Sequence, residues 1–360
     1  MQDKDNLLQR HWTASTPSWT GKRWLITHEH DSPRILMEVD RLMADLAKNR
    51  KDLFWRGHRR RGGEQVEACP LGRRLERCAG SFDPGTLRSC LARHTFSPYF
   101  QLLERNLDTC PIRWEGLCPE NLDALNQWID ELRRQVRSEP FSKRVADHER
   151  AARKNAASLR QYLDGLFDRY AKMLVVRLDV GYRHDPAEPA VIVTDAQAKE
   201  DLTQMLGHIR KLPGQVGYVW KREYGAIKGH HTHLMVLFNG HQVREGISWG
   251  KLLGQKWQAI TERGVYWNCN AHADAYRLRG CLGIGLIHHA DVRLRQGLEQ
   301  AAMYLAKVDY YARLVGPEIG RVFGKGVLPG RHSGRGRPRQ TSPAQMPVAD
   351  DPGEQGALQT

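Results

Sequence analysis

Apolar residues recur at two spacings along the chain, and the spacing changes near residue 172. Before that point the repeat is helical. Ile35, Val39, Leu42, Met43 and Leu46 line one side of a segment from Arg34 to Lys48. Leu122, Leu125, Ile129, Leu132 and Val136 step by three and four, and Leu159, Tyr162, Leu163, Leu166, Phe167 and Tyr170 repeat the pattern after a charged stretch at 143–154. Such stripes predict helices that bury one face. Trp128 and Tyr162 are flat enough to stack on a base, but their place in the stripes makes them packing residues first.

From Lys172 onward, short apolar runs alternate with helical stretches. Met173–Val180 and Val216–Tyr224 read as strands, Gly225–Gly229 as a turn and His231–Phe238 as the second strand of a hairpin. Helices are expected at Ala196–Lys211 and Ser248–Arg263, a short strand at Ile284 to Ile287, and a final helix at Gln296–Val315. Strands mixed with helices and joined by a tight turn predict an α+β fold with a mainly antiparallel sheet. Three parts are expected: a mainly helical accessory region at 1–155, an α+β domain at 156–316 and a disordered tail at 317–360. The tail carries six Lys or Arg and no acid between Arg321 and Gln340.

Composition narrows the partner. Apolar residues make up 40% of the 360 residues, enough to build a core and too many for a disordered chain. No window approaches the roughly 18–20 apolar residues of a membrane span, and the N-terminus lacks the layout of a secretory signal, so an intracellular protein is expected. Lys and Arg outnumber Asp and Glu by 55 to 41, a formal charge of +14. An acidic partner, most simply nucleic acid, follows from that excess. The seven cysteines lack a CxxC pair and read as reduced thiols.

Two constellations carry chemistry. His231 and His233 stand two apart on a strand and share a face. With the turn centred on Ile227, Glu223 falls opposite His231 on the same face. Two imidazoles and a carboxylate suit Mg²⁺ or Mn²⁺ in phosphoryl chemistry, and zinc fits the same ligands. On the last helix Tyr304 borders the buried stripe and Lys307 lies about 60° further round. A phenol there can attack a phosphodiester in line, with the ammonium as its helper. Tyr311 is a candidate second hydroxyl. Lys221 and Arg222 are candidates to line a DNA path, and Arg335, Arg337 and Arg339 in the tail are candidates for the minor groove. Asp179 can approach the metal or pair with Arg177.

This order, strand His-x-His then helix Tyr-x-x-Lys, resembles the HUH endonuclease superfamily. The runs VVRLDVGY (Val175–Tyr182), VWKREYG (Val219–Gly225), GHHTHLMVLFNG (Gly229–Gly240), YLAKVDYY (Tyr304–Tyr311) and GRGRPR (Gly334–Arg339) are similar to the inovirus replication initiation proteins and the overlapping YagK/YfjJ C-terminal domain. Thr232 departs from the bulky apolar residue the superfamily generally has between its histidines. The resemblance implies an HUH-type antiparallel sheet flanked by helices. It also implies a rolling-circle initiator that nicks and rejoins origin DNA, single-stranded or hairpin, through a 5′-phosphotyrosine. Glu223, His231 and His233 would hold Mg²⁺ or Mn²⁺, Tyr304 would be the nucleophile and Lys307 its helper. The partners implied are DNA and a host helicase or polymerase, in the cytoplasm of a bacterial host, with no membrane. The competing reading is a prophage DNA-binding protein on the same fold without catalysis. A zinc hydrolase of small substrates leaves Tyr304 and the positive charge unexplained.

Overall fold

The structure, a computed structural model, describes residues 8–10, 12–13, 18–19, 24–25, 30–58, 63–183, 193–226, 228–278, 282–328 and 330. The described residues up to Leu328 belong to one compact unit. Its N-terminal part is largely helical: α1 (Ser32–Lys48), α2 (Pro70–Ser81), α3 (Pro84–Cys90), α4 (Pro98–Leu107), α5 (Leu122–Arg137) and the 31-residue α6 (Glu139–Arg169). Ser97 and Ser138 cap α4 and α6 by accepting backbone N–H groups. The Cys69 thiol accepts from Gly72 in the same way at α2. All six described cysteines are free. The charged stretch at 143–154 does not interrupt α6, because its polar residues face outward while Ala152 and Ala156 turn inward. The region also contains an antiparallel hairpin, β1 (Phe54–His58) with β2 (Glu64–Ala68).

The second half builds an antiparallel sheet from β4 (Lys172–Tyr182), β5 (Gln215–Gly225), β6 (Gly229–Asn239), β7 (Gly264–Asn268), β8 (Gly285–His288) and β10 (Phe323–Lys325), with α7 (Asp195–Ile209), α8 (Gly246–Thr261) and α9 (Val292–Lys307) around it. The order across the sheet is β8, β4, β6, β5, β10, and β7 pairs with the far half of β4. Alternation along the strands separates two cores. Leu174, Val176, Leu178, Leu234, Val236 and Phe238 face α7 and α8. Met173, Val175, Met235 and Leu237 face the side of α6 and α9. That second core is continuous with the N-terminal helices, and the expected boundary at 155/156 falls inside α6. Trp128 and Tyr162 are both buried there, the Tyr162 hydroxyl accepting from the Tyr218 N–H.

Three expectations change around the last helix. It ends at Lys307, not Val315, and a 3-10 turn at Val308–Tyr310 leads into β9 (Ala312–Leu314). β9 pairs with β3 (His94–Phe96) from the N-terminal part, a strand with no alternation long enough to be read locally. Residues 317–328 are not tail: β10 adds to the edge of β5. Gly297 lets the 282–283 backbone cross α9 closely, since a Cβ there would stand 1.9 Å from the Leu282 carbonyl oxygen. No helix of the described residues is long and apolar enough to cross a membrane. The tail arginines Arg335, Arg337 and Arg339 lie outside the described residues.

Candidate active site

The β5–β6 hairpin places Glu223 directly opposite His231, and β4 places Asp179 opposite His233 on the other side of β6. Paired residues of antiparallel strands project from the same face, so the four side chains converge. Gly229 supports the turn with a left-handed φ of 61°. α9 crosses this face and inserts Tyr304, which is fully buried.

The contacts centre on the Glu223 carboxylate. The Tyr304 hydroxyl lies 3.1 Å from both of its oxygens and 3.4 Å from His233 Nε2. His233 Nε2 lies 3.3 Å from Glu223 Oε2 and His231 Nε2 lies 3.5 Å from the same oxygen. On its other side His233 Nδ1 meets Asp179 Oδ1 at 2.5 Å, while His231 Nδ1 faces the Gly229 carbonyl at 3.2 Å. Each imidazole therefore has one nitrogen held by a neighbour and the other turned towards Glu223, the arrangement that orients a metal-bound histidine.

Burial alone would raise the Glu223 carboxyl, but the His233 and His231 imidazoles hold it well below the ordinary carboxylate range. Burial would lower His233, yet Asp179 and Glu223 on either side raise it to about 9. Asp179, raised by burial, is lowered overall by His233 and Arg177. Three donor atoms, one each from Glu223, His231 and His233, lie within 4.8 Å of one another. That separation and donor set fit one divalent cation with open positions. Hard oxygen and imidazole together suit Mg²⁺, Mn²⁺ or Zn²⁺.

The sequence profile of the YagK/YfjJ C-terminal domain matches residues 137–325, just over half of the chain. The chain belongs to the YagK/YfjJ C-terminal domain family. Neither a curated protein nor a solved structure matches it. The family segment begins at the end of α5 and contains Asp179, Glu223, His231, His233, Tyr304 and Lys307.

Around that segment the remaining predicted residues fall differently. Lys307 ends α9 half-buried, one turn beyond Tyr304. Tyr311 lies past the 3-10 turn, not on the helix flank, and its ring stands 6.1 Å from that of Trp12. Lys221 and Arg222, read as surface residues beside the site, are buried. The Lys221 ammonium is ion-paired to Asp309, and the Arg222 guanidinium donates to the Ile319 and Arg321 carbonyls. Both therefore tie β5 to the chain that follows α9, and both border the cavity that Glu223 and His231 line. Thr232 is buried on the opposite face of β6, away from the histidines.

Asp179 and Arg177 carry more of the site than their sequence reading assigned. Asp179 holds His233, and Arg177 Nε stands 3.8 Å from Asp179 with Tyr304 in its electrostatic field. The signal was present: two charged residues at alternate positions of an otherwise apolar strand, on one face. Lys228 is a further cation at the hairpin turn, lining a cavity with Glu223 and His231 and acting on Asp179. His94 of β3 lines the same cavity, so the N-terminal part contributes to the wall of the site.

Proposed function

We propose that the protein is a metal-dependent DNA nicking and joining enzyme of the HUH type, acting as the rolling-circle replication initiator of a filamentous phage or prophage. The observation that carries this reading is the contact of a helix tyrosine with a carboxylate and two strand histidines arranged as a cation site. A cofactor-free hydrolase does not need a tyrosine at that point, and a binding surface does not need a buried His-His-Glu set.

Tyr304 Oη attacks the phosphorus of a phosphodiester, and the bond from phosphorus to the 3′ oxygen breaks. The phenolic proton leaves past the Glu223 carboxylate, which already accepts its hydrogen bond, to water in the cavity, and the departing 3′ oxygen takes a proton from water. The DNA 5′ phosphate stays on Tyr304. A later attack by a free 3′-hydroxyl reverses the step, restores the tyrosine and joins the strand. Mg²⁺ or Mn²⁺ held by Glu223, His231 and His233 would supply positive charge at the non-bridging oxygens. Asp179 keeps the His233 ring in place, and Lys228 adds a cation at the cavity where a phosphate enters. The +14 net charge of the chain favours the DNA strand at longer range.

One observation favours a second reading. Tyr304 is fully buried behind Glu223, as a structural tyrosine would be in a DNA-binding protein that does not cut. The test is incubation of the full chain with Mn²⁺ or Mg²⁺ and single-stranded DNA spanning the flanks of its own coding sequence. An adduct that survives denaturation, mapped to Tyr304 by mass spectrometry, is the expected result. Salt-sensitive binding with no adduct on single-stranded or supercoiled DNA establishes the second reading instead.

A further inference from the structure

Beside the site, on the same face of the sheet, two flat rings lie in a pile. β7 pairs with β4 so that Trp267 is the partner of Asp179, which is in turn the partner of His233. Trp267 thus stands in the row that runs Lys221, His233, Asp179, Trp267, about 10 Å from His233 at the usual strand spacing. The His272 ring lies on the indole at 3.7 Å between centroids and 5° between planes. Trp267 is half-buried against the core, whereas His272 is exposed.

The segment that carries this pile is stapled to the sheet. Asn270 accepts from the Arg177 N–H at 2.9 Å and donates to the Val175 carbonyl at 2.9 Å. Asn268 accepts from the Asn270 N–H and donates to the Ile247 carbonyl. The Tyr276 hydroxyl donates to Cys269 Sγ at 3.2 Å, and the Arg177 guanidinium lies over the Tyr276 ring. A solvent-facing imidazole lying flat on an indole, on a segment bonded to the sheet in this way, is not needed for the core. In the neighbouring row, Gly181 places no side chain between His231 and Val265, whose own side chain is exposed.

We infer that Trp267 and His272 form a stacking platform for a nucleobase of single-stranded DNA. Every base has a flat face that such a pile accepts without regard to sequence, and a rigid platform lowers the ordering cost of binding. The occupant is a single strand and not a duplex, whose bases are already stacked on one another. Lys228 on the same side and the positive net charge favour a polyanion over a neutral aromatic ligand. The acid Asp274 nearby is paired with Arg277 and does not oppose it. The base on the platform lies a few nucleotides from the phosphate at Tyr304, so this inference rests on the nicking site proposed above and names how that site holds its substrate.

The test uses the full chain and a thymidine oligonucleotide carrying one 2-aminopurine, whose fluorescence is quenched on stacking. Quenching is expected with the unaltered chain. Trp267→Ala and His272→Ala are expected to weaken binding by roughly tenfold and to remove the quench, while Trp267→Phe keeps most of both. Mn²⁺ affinity, read by calorimetry without DNA, is expected to stay unchanged in all three. If Trp267→Ala does not fold, the exposed His272→Ala decides. Equal affinity and quench in His272→Ala and the parent overturn the platform, and so does an absence of oligonucleotide binding. A platform that quenches without any covalent adduct overturns nicking alone. An adduct formed equally by parent and platform variants overturns the platform alone.

Discussion

The Tyr304 hydroxyl touches both oxygens of the Glu223 carboxylate at 3.1 Å, although the two residues are 81 positions apart. Glu223 lines the cavity beside the hairpin and Tyr304 does not, so the carboxylate stands at the point where substrate and nucleophile would meet. One side chain thereby links the strand histidines to the helix.

Replacing the phenol separates chemistry from binding. Tyr304→Phe is expected to lose the covalent DNA adduct entirely while keeping Mn²⁺ and oligonucleotide affinity within about twofold, because only the hydroxyl is removed. Tyr311→Phe is expected to keep the adduct, since Tyr311 has left the helix flank. Denaturing gel electrophoresis with labelled DNA reads both variants. A persistent adduct in Tyr304→Phe would falsify the assignment of the nucleophile.

The carboxylate behind His233 tunes the cation site without belonging to it. Asp179→Asn is expected to lower Mn²⁺ affinity roughly 10–100-fold, as loss of a partner that orients a ligand does elsewhere. His231→Ala combined with His233→Ala is expected to abolish binding. Calorimetric titration with the metal alone measures each, and parent-like affinity in the double variant would remove the site from consideration.

The buried ion pair between Lys221 and Asp309 is a stability device. Lys221→Met leaves the Asp309 carboxylate buried without its partner and is expected to cost about 3–5 kcal/mol. Joining Lys221→Met with Asp309→Leu removes both charges and is expected to recover most of the loss. Denaturant titrations decide, and additive losses in the pair of substitutions would show that the two groups do not interact.

Acid should weaken the fold through His94. Burial lowers its imidazole to about 4, and its Nδ1 is buried without a hydrogen-bond partner. An imidazole kept neutral in the fold takes up a proton on unfolding, where its value is about 6.5. The stability that depends on it is complete above pH 6.5 and is lost as the pH falls towards 4. Over that window its share of the unfolding constant rises about tenfold per unit. Denaturation midpoints between pH 7.5 and 4.5 should slope less steeply in His94→Gln than in the parent; identical slopes would show that His94 is not the group responsible.

Much of this protein was legible before any tertiary contact was considered. The helical stripes at 34–48, 122–136 and 159–170 appear as α1, α5 and α6, and the hairpin pairs Glu223 with His231 as its turn length required. These features depend on backbone periods of 3.6 and 2, which a local stretch of sequence expresses in full. The depth of Tyr304, the hold of Asp179 on His233 and the pairing of β3 with β9 were decided only by packing. Lys221 shows why. Its place on an alternating strand announced which face it takes, but not that Asp309, 88 residues away, would meet it there and bury its charge. Local spacing determines the direction in which a side chain points, while the desolvation and charge it then experiences belong to whatever distant segment the fold brings against it.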